Sequence, residues 1–527
     1  MRTKVLMIYP EIPTTYWSFK HALKFVGKKT QFPPLGLITV AAMMPERYDI
    51  TLVDMNVRKL RARDVDRADL VFVSAMIVQK ESFRQVVEFC KKRGKTVVAG
   101  GPYPTSSHES IEGVDHFILG EAETVLPDFL RDYEAGAAGP VYNASEKPDI
   151  TATPVPRFDL LDIGKYFSMM LQFSRGCPFN CEFCDIIEMF GRKPRTKTAD
   201  QFLRELQAVY DTGFRGSLFV VDDNFIGNKA EVRKLLPRII EWQKERGYPY
   251  TLFTEASVNL GDDPALMDEM VEAGFDMVFL GIETPVEATL HQTQKAQNTR
   301  KKLIDSVRAI QNRGIEVSAG FIIGFDTDPA NIFDLQIQFI QESGITMSMI
   351  GLMMALPNTQ LYRRLAREGR LLAESSGNNT HDLDMNFVPV MDAGTIAEGY
   401  RKVLRAIYDP KNYFARCLVT LDQVPWSARP AQPLRYQDMR AFVTSLVTQA
   451  LSPYGHRYLA FLWKALRKDP AGFPVAVRMA IREHHFHKIT RAVVGSRGRS
   501  VVRAIAAAKR SIAVAPAPES AFAARKG

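Results

Sequence analysis

The chain has 527 residues, of which 46% are hydrophobic and 24% charged, with five cysteines and a formal net charge of +9. At about 100–200 residues per domain that length means roughly three to four units with a sizeable core, excluding bulk disorder, collagen-like repeats and a disulfide-built miniprotein. The charge excess is local: from Arg478 onward eleven Lys and Arg face two acids, so a nucleic-acid binder, which spreads its cations over a folded face, is disfavoured. The N-terminus Met1-Arg2-Thr3-Lys4 leads straight into a strand without a signal-peptide hydrophobic region. The longest apolar runs, such as 5–9 and 70–77, fall well short of the roughly 20 residues that span a bilayer. The expectation is a cytoplasmic protein.

Residues 1–135 alternate short apolar strands, at 4–9, 50–53, 70–75, 96–99 and 116–119, with helical patterns at 34–44 and 80–93. Such alternation predicts a doubly wound parallel sheet whose ligand lies at the carboxyl ends of the strands. Gly100-Gly101-Pro102 and Gly120-Glu121-Ala122-Glu123 stand at two of those ends, where glycine lets backbone approach a bound group. Residues 136–166, richer in Ala, Gly and Pro, read as a linker. A second series over 167–360 has strands at 171–174, 217–221, 251–255, 277–282, 316–323 and 346–352 with helices between them, which predicts a partial (β/α)6 barrel with function at its carboxyl-terminal rim. Residues 361–480 read as helical, and 481–527 as a basic, partly disordered tail. The fold class is therefore α/β with a helical C-terminal region.

Three of the five cysteines sit together as Cys177, Cys181 and Cys184, in Ser174-Arg175-Gly176-Cys177-Pro178-Phe179-Asn180-Cys181-Glu182-Phe183-Cys184. Three thiolates in one loop can hold three corners of a cubane iron–sulfur cluster, leaving one iron open. Structural zinc needs four closed ligands, and no histidine lies between His116 and His291; only a distant residue would complete such a site.

The CxxxCxxC loop after the first strand of the second series resembles that of the radical S-adenosylmethionine (SAM) superfamily, over about residues 170–360. The resemblance implies a [4Fe–4S] cluster on Cys177, Cys181 and Cys184 whose open iron is chelated by SAM. It also implies SAM contacts at successive strand ends: Asp222 and Asp223, Glu255 and Ser257, Glu283, and Gly320. The Asp222-Asp223-Asn224 sequence departs from the commoner Gly-Gly-Glu of the family, which leaves open which of these groups takes the SAM amine.

Preceding such a barrel, the first unit resembles the cobalamin-binding domain of cobalamin-dependent radical SAM enzymes, with Ser74, Gly100, Gly101, Gly120 and Glu121 as implied cobalamin contacts. The loop after its second strand reads Asp54-Met55-Asn56-Val57-Arg58-Lys59, and no histidine lies between His21 and His108, so cobalamin is expected without a histidine lower ligand. A domain that kept the fold and lost the cofactor is the alternative. The region around 387–422 resembles the helical extension of the branch that contains the hopanoid C-2 methylase. The resemblance implies reductive SAM cleavage, hydrogen abstraction from an unactivated carbon by the 5′-deoxyadenosyl radical, and methyl transfer through cobalamin. The expected partners are a flavodoxin- or ferredoxin-type electron donor and a small-molecule or lipid substrate, a hopanoid first. A peripheral membrane contact is expected through the basic tail, and no nucleic acid. A radical SAM enzyme of other outcome and a non-catalytic tetrapyrrole sensor are the competing classes. No catalytic residue beyond the cluster is assigned.

Overall fold

Apolar strands flanked by amphipathic helices resolve into two six-stranded, wholly parallel sheets. The computed structural model describes residues 2–495 apart from 145, 373–374, 381–382, 384 and 431–434. The first sheet is built from β1 (Thr3–Tyr9), β2 (Tyr48–Asp54), β3 (Leu70–Ser74), β4 (Thr96–Gly100), β5 (His116–Leu119) and β6 (Val141–Asn143), in the order β2-β1-β3-β4-β5-β6. Runs such as Leu6, Ile8, Val71 and Val73 are buried because helices cover both faces. The strand order reverses beside β1, and the crevice at that switch point is where such sheets take ligands.

A short antiparallel ribbon, β8 (Ser174–Arg175) with β9 (Arg195–Thr196), frames the cysteine loop just after β7 (Ser168–Leu171). The second sheet continues with β10 (Gly216–Val220), β11 (Tyr250–Ala256), β12 (Phe275–Glu283), β13 (Glu316–Ile323) and β14 (Ser348–Leu352). Its order, β14-β13-β12-β11-β10-β7, follows the sequence and does not close. It is a half-barrel, open along one side. Helices Ala393–Ile407, Pro410–Gln423, Tyr436–Ala450, Gly455–Lys468 and Phe473–Gly495 form the C-terminal region. No helix of the described residues is long and apolar enough to cross a membrane.

Two boundaries differ from the sequence reading. The stretch 136–166 is not only a linker: Val141–Asn143 adds an edge strand to the first sheet, pairing with β5. Its three residues alternate exposed and half-buried, so they carry no apolar signature. Residues 481–495 are the second half of a helix packed into the core, where Phe486 stacks on Tyr16 and tilts against Tyr408. The basic positions from Arg497 onward lie outside the described residues.

Candidate active site

The cysteine loop is held in place by the second strand end. Asp222 accepts hydrogen bonds from the Phe173 amide (2.7 Å) and the Ser174 hydroxyl (2.6 Å), and Asp223 accepts from the Gly176 amide (2.8 Å). Burial raises both carboxyls, Asp222 to about 7 and Asp223 to about 6, with the mutual repulsion or nearby acids adding to the rise. Gly176 sits at φ 97°, and a Cβ there would stand 2.8 Å from the Gly191 carbonyl oxygen. The chain can therefore turn into the cysteines only at glycine.

The loop carries three thiols near enough to influence one another's charge, although among the described residues their side chains do not yet converge as a three-ligand metal site. The other two cysteines lie apart, Cys90 buried in the N-terminal core and Cys417 in helix Pro410–Gln423. Polar hydrogens point at two of the sulfurs, from Asn224 Nδ2 to Cys177 Sγ (4.0 Å) and from Gln297 Nε2 to Cys181 Sγ (3.7 Å). Burial pushes the Cys184 and Cys177 thiols above their usual range, so a bound cation is needed to hold them as thiolates. This donor set fits a cluster with three protein ligands and one exchangeable corner.

The remaining strand ends divide into groups already committed and groups still open. Asn224 shares a hydrogen-bond network with Ser257, whose hydroxyl donates to Asn259 Oδ1 (2.5 Å). Glu283, in a left-handed conformation at a register shift between β12 and β13, is paired with Lys295 at 2.5 Å. Burial alone would lower the Lys295 ammonium, but Glu283 and Cys181 outweigh it and raise it. A Cβ on Gly320 would stand 3.1 Å from the Phe279 ring and 4.0 Å from Glu283 Oε2, so the glycine keeps room for both. Glu255 alone accepts no hydrogen bond among the described residues. Burial first, then Asp223, Asp222 and Glu283, pushes its carboxyl up to about 8.

Glu255 faces a cavity of ≈ 1060 Å³ that reaches from the strand ends of the first sheet into the half-barrel. Ser74, Gly100, Gly101, Gly120 and Glu121 all line it, with Met55 and Asn56, and among the described residues no histidine does. Asn56, in the loop after the second strand, has its side chain spent on the Ile12 amide, the Pro10 carbonyl and Asp54. Gly101 (φ 90°) has no room for a Cβ, which would lie 2.5 Å from Ser74 Oγ. These glycines leave a backbone-walled cradle that a large planar cofactor can approach.

Glu121 lines this cavity, yet its carboxylate is committed elsewhere. It pairs with Arg175 (2.6 Å) and Arg195 (2.7 Å), while Arg175 also reaches Glu123 (2.8 Å). The network ties the first domain to the ribbon that carries the cysteine loop. Arg175, Arg195, Lys295 and Gln297 were missed by sequence reasoning; only Arg175 sat in a motif, and nothing in its neighbours marks a partner 54 residues away.

A radical SAM superfamily pattern matches residues 171–334 and a B12-binding domain matches 28–130. A methyltransferase of Synechocystis, itself uncharacterized, is 43% identical over 505 residues, covering 94% of each chain. The hopanoid C-2 methylase of Rhodopseudomonas palustris is 35% identical over 384 residues, 72% of this chain and 73% of that one. The chain belongs to the cobalamin-dependent radical SAM methyltransferases. In this cobalamin-dependent radical SAM methyltransferase, residues 359–498 also match a domain of unknown function, DUF4070. The cobalamin-bound radical SAM enzyme OxsB superposes at TM-score 0.61 with 14% identity, covering 94% of this chain and 84% of that one. The radical SAM methyltransferase TsrM of Kitasatospora setae, with cobalamin and a [4Fe–4S] cluster bound, gives 0.60 at 13% identity over 93% and 100%. Both share the fold. The cofactors of this methyltransferase are accordingly a [4Fe–4S] cluster, SAM and cobalamin.

Proposed function

We propose that the protein methylates an unactivated carbon of a polycyclic isoprenoid lipid, most specifically a hopanoid at C-2. The observation that carries this reading is the aromatic wall of the cavity inside the half-barrel. Phe219 and Phe253 stack at 4.7 Å, with Phe32 at 5.3 Å from Phe219, and Trp17 tilts against Phe279 at 5.1 Å. Flat apolar walls of this kind fit a rigid fused-ring skeleton and offer few partners to a charged peptide or nucleotide. The hopanoid C-2 methylase among the relatives supports the same substrate class.

When bound, the cofactors would supply radical formation from SAM at the cluster and a transferable methyl group carried by cobalamin. The chain's own residues hold and screen that chemistry. Cys177, Cys181 and Cys184 would hold the cluster, and Asp222 and Asp223 act through the backbone of the cysteine loop by fixing its amides. Asp222 is therefore a positioning residue and not a SAM contact. Glu255, half-buried in the cavity lining and without a hydrogen-bond partner among the described residues, is the acceptor best suited to SAM hydroxyls or its ammonium, with Ser257 beside it. Glu283 with Lys295 forms a neutral pair near the thiols, and Gly320 keeps space next to it. Ser74, Gly100, Gly101 and Gly120 would cradle cobalamin, with Glu121 supporting from behind through Arg175. The aromatic walls keep water from the substrate carbon. A low-potential one-electron donor of the flavodoxin or ferredoxin type would feed the cluster.

Mass spectrometry of lipids from cells with and without the protein tests the substrate. The expected result is loss of a methylated polycyclic lipid and accumulation of its homologue lacking that methyl; an unchanged lipid profile contradicts the assignment.

A further inference from the structure

The C-terminal helices carry an apolar face turned away from the core. On helix Tyr436–Ala450 the buried positions are Ala441, Ser445 and Gln449, spaced four apart, and Ser445 hydrogen-bonds Tyr458 of the next helix at 3.0 Å. Met439, Val443 and Val447 recur at the same spacing on the opposite side and are exposed, Val443 at 54%. Helix Gly455–Lys468 repeats the arrangement: Tyr458, Leu462 and Ala465 are buried, while Leu459, Trp463 and Leu466 are exposed, Trp463 at 61%. Exposed apolar side chains scattered singly need no explanation, but two adjacent helices with ordered stripes do.

The charge on the second of these helices is basic. Helix Gly455–Lys468 contains Arg457, Lys464, Arg467 and Lys468 and no acidic residue. Arg457 pairs with Asp409 and Lys468 with Asp422, so Lys464 and Arg467 carry the surplus, and Arg467 lies over the Trp463 ring. Basic residues bordering apolar ones, with an aromatic among them, match the two layers of a lipid surface: headgroup phosphates outside and acyl chains beneath. A second copy of the chain would bring these cations face to face across a two-fold axis, which is unfavourable. The same helix Tyr436–Ala450 turns Gln437, Asp438 and Ala441 toward the large cavity. One wall of the cavity is thus the inner side of the surface that is apolar outside.

We propose that the outward faces of helices Tyr436–Ala450 and Gly455–Lys468 dock on an anionic lipid bilayer. The docking claim stands on this surface; only its purpose, delivery of a lipid to the adjoining cavity, rests on the function proposed above. It differs from the contact expected of the basic tail, since it needs nothing after residue 495.

The test is co-sedimentation of the full-length holoenzyme with phosphatidylcholine vesicles, with and without phosphatidylglycerol and containing no hopanoid. Wild-type protein is expected on the phosphatidylglycerol vesicles. Val443→Glu and Trp463→Glu should each cut partitioning roughly tenfold, the factor implied by withdrawing one apolar side chain of this size from lipid. Lys464→Glu with Arg467→Glu should remove the preference for phosphatidylglycerol. Brominated lipids supply a readout without a charged substitution: they should quench wild-type tryptophan emission, and Trp463→Phe should remove most of that quenching. Equal vesicle binding by wild type and the Glu variants overturns the proposal. So does sedimentation velocity showing a dimer that Trp463→Glu dissolves. Vesicle binding that persists alongside an unchanged cellular lipid profile would uphold the docking face and refute the substrate assignment.

Discussion

Replacing Glu121 by Ala should loosen the joint between the cobalamin domain and the cysteine loop. The Glu121 side chain is 2% exposed and its partners Arg175 and Arg195 are 11% and 16% exposed. Removing the carboxylate leaves Arg195 with only the Pro148 and Phe190 carbonyls, while Arg175 keeps Glu123 and Gln172. Stranding buried charge by deleting one partner costs about 3–5 kcal/mol. The retained Glu123 contact places this case near the lower end, at about 3 kcal/mol. Glu123 is itself held below the usual carboxylate range: burial opposes this, but the Arg175 charge and hydrogen bond outweigh it. A double-mutant cycle with Arg195→Met isolates the pair, because losing both charges relieves the stranded guanidinium. The assay is urea unfolding of the cofactor-free chain by circular dichroism, comparing the first transition, with iron retained per reconstituted chain as the functional readout. A loss under about 1 kcal/mol for Glu121→Ala, or strict additivity in the cycle, would refute the reasoning.

Alanine at Cys177, Cys181 or Cys184 should each abolish iron loading and SAM cleavage, whereas Cys90→Ala and Cys417→Ala should retain iron; elemental analysis and 5′-deoxyadenosine formation decide it. Gly101→Ala, at φ 90° and 2.5 Å from Ser74 Oγ, should cost at least about 1 kcal/mol of strain and lower the corrin absorbance of loaded protein; unchanged loading contradicts the cradle. Glu483, 1% exposed, is pushed by burial to about 8. Its folded value lies above the unfolded one, so stability present below about pH 4 is lost as pH rises toward 8. Glu483→Gln should therefore melt higher than wild type by an amount that grows across that window; an equal gain at acid pH would show the effect is not titration.

The two parallel sheets were legible because their strands are short, apolar and regularly punctuated. Val141–Asn143 was not, since an exposed three-residue edge strand has no periodic signal. Helix Phe473–Gly495 was read in part as a tail because Arg482, Glu483, His484 and His485 look like surface residues, yet the fold half-buries Arg482 and buries the other three: His485 lies against Tyr16 and Phe19. The cysteines and the strand-end glycines could be found from spacing alone. The Glu121–Arg195 joint could not, as its partners are 74 residues apart and meet only once the two sheets are assembled. Asp222 was legible as a strand-end carboxylate, but local order cannot show that its oxygens accept from the Phe173 amide and the Ser174 hydroxyl.

The central claim is radical methylation of a polycyclic lipid, and one measurement addresses it directly. Holoenzyme reconstituted without oxygen is given a low-potential reductant, SAM with an isotopically labelled methyl group, and a pentacyclic triterpene in phosphatidylglycerol vesicles. Mass spectrometry should find the labelled methyl on the triterpene skeleton, formed together with 5′-deoxyadenosine. Continued 5′-deoxyadenosine formation with no label on the lipid would contradict the account.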